Sequence, residues 1–246
     1  MTGVSLTRNT SPPYISHVTN NRVVVSGLAG PPGSDRRAVI DWHVPDDRPD
    51  WLLGTGATRT ERITVWAATA LITAVALVVA DESWALWQWL VVAVLTIDVA
   101  GGVVANSLGT AKRFYHSPLP ATAGHVARVA HNPIGFAGIH VQPFIVALAL
   151  PDAGWAWAAT WWGAALVGTI LVTSAPLYLE RAVAASVVTT ALIASPLLDH
   201  PSGLWWFGPV LVLKLVGAHA VREEPYRPEP PQQQPSSISE QEHTTE

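Results

Sequence analysis

The sequence predicts an all-α, polytopic integral membrane protein: a bundle of six transmembrane helices with both termini in the cytoplasm. Three observations predict it. Of the 246 residues, 49% are hydrophobic and only 13% charged, against about 25% charged in an ordinary soluble domain. Apolar residues gather into long runs in the middle of the chain, while both ends are polar. The basic residues fall into every second connection between those runs, as the positive-inside rule requires.

Residues 1–60 form a polar N-terminal region rich in Pro, Gly, Ser, Asn and Asp. Within it Asn21–Gly30 reads as a short strand, and 31–37 (PPGSDRR) as a turn. The segment Ala38–Leu53 mixes apolar and acidic residues around Trp42 and Trp51, which suits a stretch resting on the membrane surface. It reads either as a solvated tail with an interfacial anchor or as a lid or docking arm. These sixty residues carry no basic stretch leading into an apolar run and a small-residue cleavage site, so no secretory leader is expected.

The transmembrane domain covers residues 61–222. Its first span begins near Arg62 and ends at Asp81-Glu82. The second runs from about Leu86 to Ser107, the third from about Ile134 to Leu150, and the fourth from about Ala156 to Ser174. The fifth covers about Ala182–Leu198, and the sixth about Leu204–Val221. Each approaches the ~17–25 apolar residues that a ~30 Å hydrocarbon core demands, and lipid leaves the backbone no choice but helix. Residues 223–246, rich in Pro, Gln, Ser and Glu, read as a disordered cytoplasmic tail.

Charge orients the bundle. Seven of the 14 Lys and Arg precede or begin the first span; Lys112, Arg113 and Arg128 lie in the second connection, Arg181 in the fourth, and Arg222 and Arg227 after the sixth. The odd-numbered connections hold acids instead: Asp81, Glu82, Asp152 and Asp199. Only Lys214 falls inside a span. Trp84, Trp87, Trp89, Trp155, Trp157, Trp161, Trp162, Trp205 and Trp206 stand at the opposite ends of the spans, where a tryptophan belt belongs.

Composition excludes several functions. The net charge of -4 offers no basic face for nucleic acid, and the absence of cysteine removes disulfides, thiolate metal sites and thiol nucleophiles. There is no GxSxG elbow, Walker A loop, GxGxxG or paired-aspartate motif. His116, His125, His131, His140 and His219 offer imidazoles, but in neither HExxH nor clustered-histidine spacing. No metal site is assigned on that pattern and no cofactor is indicated.

The chemistry-bearing groups lie in the cytoplasmic half. At 1.5 Å per residue, Asp98 stands ~14 Å above the inner end of the second span and His140 ~9 Å up the third. By the same rise Gln142 is ~12 Å up, and Lys214 ~10 Å up the sixth. Asn106 and His219 lie near the interface. An intramembrane carboxylate marks function unless it is paired, and Lys214 is the natural counter-charge. If the second helix continued past the membrane, Asp98, Gly102, Ala105, Gly109, Lys112 and His116 would share a stripe. Gly101, Gly102 and Ala105 allow a close helix approach, and Pro143 should kink the third span.

The expectation is therefore a small membrane-embedded enzyme with a polar chamber in the cytoplasmic half of the bundle, acting on an apolar or lipid-like substrate that enters from the bilayer or the cytoplasmic side. Asp98, His140 and Lys214 would be the catalytic groups; Asn106, Gln142, His219 and His116 would bind substrate. The lipid bilayer is the expected surroundings and an apolar small molecule the expected ligand. The alternatives are a proton-coupled transporter using Asp98, His140 and Lys214 as its relay, and a non-catalytic membrane partner protein.

Overall fold

The computed structural model describes residues 17–19, 22–24, 38–80 and 82–228. The turn expected at 31–37, Asp81 and residues 229–246 of the expected tail lie outside them. The described chain is mostly helical. Four helices are long and apolar enough to cross a membrane, and a fifth joins them if a bent pair, His125–His131 with Pro133–Ala149, counts as one span.

Strand β1 (His17–Thr19) pairs antiparallel with β2 (Arg22–Val24), in the piece where a strand was expected. Strand β3 (Ala38–Ile40) pairs antiparallel with β4 (Tyr226–Pro228). The segment that follows β3 is docked, not solvated. Asp50 Oδ1 accepts from the backbone N–H of Leu52 and Leu53, and the loop turns at Gly54 with φ 79°. A Cβ on Gly54 would run into the backbone of Thr110, so only glycine lets the loop lie this close.

Helix α1 (Arg59–Ala80) starts three residues before the expected Arg62. Thr58 and Glu61 form a reciprocal capping box: Glu61 Oε2 accepts from Thr58 N at 2.7 Å, and Thr58 Oγ1 from Glu61 N at 3.2 Å. Helix α2 (Leu86–Asn106) packs along α1. It stops at Ser107, and α3 (Gly109–His116) starts afresh. The expected stripe from Asp98 to His116 is thus interrupted, because the chain leaves helical geometry at Leu108, φ -70° and ψ 143°.

The third span is not one regular helix. α4 (His125–His131) meets the next helical stretch at 97°. That stretch consists of α5 (Pro133–Gly138) and α6 (Gln142–Ala149), separated at Ile139–Val141. Pro143 therefore sits in the first turn of α6, where its missing N–H is no loss, rather than kinking a continuous helix. Carbonyls freed at the break are taken up: Gly138 O accepts from Trp162 Nε1 at 3.1 Å, and Ala137 O from His140 N at 3.2 Å.

Helix α7 (Trp155–Ser174) is central and packs on α5, α6 and α8 (Glu180–Ala194). It also packs on α9 (Phe207–Val212), which continues as a π-helix over Leu213–Ala220. Two of the tryptophans assigned to the belt belong to the core instead. Trp157 and Trp161 are buried, Trp157 against Phe207 and Trp161 over Gly208, while Trp87, Trp155 and Trp205 remain exposed. A methyl group on Gly208 would land in the Trp161 ring. Gly208→Ala is therefore expected to lower stability by about 1–3 kcal/mol, read as a lower thermal midpoint in detergent. Gly163→Ala, which meets nothing within 4 Å, should leave that midpoint unchanged.

The tail expected to begin at residue 223 is ordered through Pro228, since β4 pairs with β3 and Arg227 Nη1 meets the buried carboxylate of Asp41 at 3.0 Å.

Candidate functional site

Asp98 stands on α2 one turn above two consecutive glycines, and each glycine receives a different neighbour. A Cβ on Gly101 would stand 2.8 Å from Thr69 Oγ1 of α1; one on Gly102 would occupy the space of the Lys214 stem. The glycines thus let α1 close on one side of α2 and lead the lysine across the other. Lys214, only 3% exposed, reaches Asp98 Oδ1 at 2.9 Å. Gln142, at the first turn of α6, donates to Asp98 Oδ2 from Nε2 at 2.7 Å. Three elements far apart in sequence meet on one carboxylate.

His140 lies in the break between α5 and α6 and is buried. Its Nδ1 faces Phe136 O at 2.5 Å. A carbonyl only accepts, so Nδ1 carries the proton, and in the neutral ring the lone pair is on Nε2.

Asp98, His140, Lys214 and Asn106 line one cavity of about 430 Å³. Its walls are otherwise largely apolar, with Trp66 and Thr69 from α1, Val94 and Ile97 from α2, and Phe136 from α5. Trp51 and Leu52 of the docked N-terminal segment and Tyr115 of α3 also line it. Two of its polar groups, Asn106 Nδ2 and Thr69 Oγ1, are buried without a hydrogen-bond partner among the described residues.

The two other histidines expected to bind substrate are not brought into this cavity. The His219 ring is stacked beneath Phe136 at 3.7 Å between centroids and 13° between planes, which keeps it behind that wall. His116 Nε2 donates to His219 O at 3.0 Å, and its ring lines a separate open cleft with Arg128, His131 and Arg222. Gln142 holds Asp98 without lining the cavity itself.

The sequence reading missed what surrounds this site. Lys112 is no solvated positive-inside marker: it is 2% exposed, and its Nζ donates to Ala218 O at 2.5 Å and Val221 O at 2.7 Å, capping the end of the Lys214-bearing helix. Burial pulls its pKa down to about 8, with Glu223 opposing the shift. Tyr115 donates from its hydroxyl to Trp51 O, and burial pushes that hydroxyl up to about 12. Thr69 opposite Gly101, and Phe136 four residues before His140, carry no charge or motif by which to be found.

His116 is held down to about 4, first by burial, against the backbone bond to His219 and with the help of Lys112, Arg222 and His131. The unfolded chain therefore binds a proton near pH 6.5 that the folded chain refuses until about 4. Stability should fall as pH is lowered through that window, with a slope approaching ~1.4 kcal/mol per pH unit. His116→Gln should flatten this part of the profile in detergent-based thermal unfolding between pH 7 and pH 4.

Chemically the site offers a fixed ion pair, a neutral imidazole with a lone pair at Nε2 and one unengaged amide N–H, all at the edge of an apolar cavity. Among the described residues no three His, Asp or Glu side chains are grouped so as to hold a metal ion. The fold and the site define a class, a helical protein with four or five helices long and apolar enough to cross a membrane and an ion pair beside a largely apolar cavity. Compared with known proteins, the chain matches no family model, no curated protein and no solved structure.

Proposed function

We propose that the chain is a small membrane-embedded enzyme acting on an apolar or lipid-like substrate held in the Asp98–His140–Lys214 cavity. The observation that carries this is the cavity's mixed lining, with His140 Nε2 and the Asp98–Lys214 pair against apolar walls. In this reading His140 Nε2 is the acid–base group, since the Asp98 carboxylate is already engaged by Lys214 and Gln142. Lys214 supplies fixed positive charge for an oxygen on which negative charge develops. The rim residues Trp66, Val94 and Ile97 are apolar and exposed, so in a bilayer they face lipid. The inner end is lined by Trp51, Leu52 and Tyr115. Of the two routes expected from sequence, the bilayer and the cytoplasmic side, this lining favours access from the side, out of the bilayer.

The bundle is proposed to cross the bilayer six times with both termini inside. β3 pairs with β4, so the chain enters and leaves the bundle at one end, and an even number of crossings follows. α1, α2, α7 and α8 supply four; residues 133–149 and 207–220 then cross together or not at all. Lys112, Arg113, Arg181, Arg222 and Arg227 gather at the end where β3 and β4 meet, which is cytoplasmic by the positive-inside rule. At ~1.5 Å per residue these two helical stretches span ~25 Å and ~21 Å, so the bilayer would thin beside them.

The test is conversion of a membrane lipid extract by nanodisc-embedded protein, followed by mass spectrometry, with His140→Gln beside the wild type. A lipid consumed by the wild type and spared by the variant supports the enzyme. Solute uptake that collapses when a pH gradient is dissipated, with no lipid converted, would establish the proton-coupled transporter instead.

A further inference from the structure

We infer that the cavity selects a lipid whose head is uncharged and bears a hydroxyl group, and that it rejects the phosphorylated form of the same lipid. The inference rests on the proposed reading of the cavity as a site for a molecule from the bilayer, and adds the head-group chemistry.

Charge comes first. Among the described residues Asp98 and Lys214 are the only charged side chains lining the cavity, and they neutralise one another at 2.9 Å. A phosphate monoester would bring up to two further negative charges beside the Asp98 carboxylate, against a single lining ammonium that balances one charge. Among the described residues no arginine lines the cavity, although arginine and a pair of cations are the usual means of holding phosphate in a dry site. A quaternary ammonium head would meet Lys214 in the same way. An uncharged head disturbs neither partner of the pair.

Hydrogen-bonding capacity then narrows the uncharged heads. Asn106 is 5% exposed, and its Nδ2 has a proton to donate and no acceptor among the described residues. Leaving a buried donor in that state is unfavourable, and a ligand oxygen would satisfy it. His140 presents the opposite need, because its Nδ1–H is spent on Phe136 O and a lone pair is left at Nε2. A hydrocarbon satisfies neither group, and a carbonyl can only accept, which serves Asn106 alone. A hydroxyl both accepts and donates, and is the simplest head able to meet both kinds of demand. Proton transfer from such a hydroxyl to Nε2 would leave an alkoxide and an imidazolium, with Lys214 and Asn106 as the cationic and N–H groups on hand for the developing charge. The apolar rim at Val94 and Ile97 gives the chain its way out to lipid.

The experiment uses the full-length protein in nanodiscs and a diazirine-bearing long-chain alcohol as photoprobe, with labelled peptides mapped by mass spectrometry. Dodecanol and dodecyl phosphate compete against it. The expected result is labelling on α1 and α2 around Trp66, Val94 and Ile97, displaced by dodecanol at a concentration at least about tenfold below that needed for dodecyl phosphate. Asn106→Leu should weaken dodecanol about tenfold, the size of one hydrogen bond. Thr69→Val, which removes the cavity's other unpartnered polar group without enlarging the side chain, should likewise weaken dodecanol and gives a second reading if Asn106→Leu folds poorly. Competition by the phosphate at equal or lower concentration would overturn the head-group inference and leave the lipid-access reading standing. An absence of saturable labelling in the cavity would overturn both.

Discussion

Asp98→Leu should destabilise the folded protein by about 3–5 kcal/mol, the cost of leaving a buried ammonium without its counter-charge. Lys214 is nearly inaccessible, and among the described residues its Nζ makes its one charged contact with Asp98 Oδ1. Lys214→Met should cost less, because Asp98 keeps Gln142 as a donor. The double variant Asp98→Leu/Lys214→Met should recover most of the loss, since removing both charges also removes the need to desolvate them. Thermal unfolding of all four proteins in one detergent gives the comparison. Losses that simply add in the double variant would mean the two side chains are not paired.

The second large effect lies at Lys112. Its ammonium satisfies two carbonyls at the end of the helix that carries Lys214, where a cation also complements the helix dipole. Lys112→Met leaves those carbonyls buried without a donor, and should cost about 2–4 kcal/mol as two orphaned acceptors. Because the π-helical stretch Leu213–Ala220 positions Lys214, the same substitution should weaken lipid binding in the cavity, which a purely local cap would not do. The pH signature has a definite sign. The folded pKa of about 8 lies below the unfolded 10.5, so the unfolded chain holds the proton longer and stability contributed through Lys112 rises between those values. Unfolding midpoints at pH 8 and pH 10 should therefore diverge in the wild type and converge in Lys112→Met.

Much of the site was legible because depth in a membrane helix can be counted. Asp98, Gln142 and Lys214 came out within a few ångströms of one another in height, and these are the three that meet. The glycines below Asp98 were legible as an approach surface, though not which neighbour each one admits. The long spans α1, α2, α7 and α8 follow from apolar length alone. The break at Ile139–Val141 does not, because the flanking residues continue the apolar run and the interruption is stabilised by the backbone N–H of His140 within it and by Trp162 from α7. The start of α1 could have been read from Thr58 and Glu61, whose spacing is that of a capping box. The docking of residues 38–57 was out of reach. It depends on side-chain bonds to backbone oxygens, such as Thr110 Oγ1 to Leu53 O at 2.7 Å and Arg113 Nη2 to Thr55 O at 3.2 Å, which no periodicity announces. Trp157 and Trp161 were misplaced for a related reason: a tryptophan near a span end reads as belt unless its rotation toward the core is known.

The central claim is that the cavity beside Asp98 opens to lipid rather than to water. The chain has no cysteine, so a single Ile97→Cys carries one nitroxide with no background. Its relaxation by molecular oxygen, which partitions into lipid, and by a water-soluble nickel chelate is the measurement that tests this most directly. The account predicts strong relaxation by oxygen, weak relaxation by the chelate, and a loss of mobility when dodecanol is added. Strong relaxation by the chelate would place Ile97 in an aqueous vestibule and contradict it.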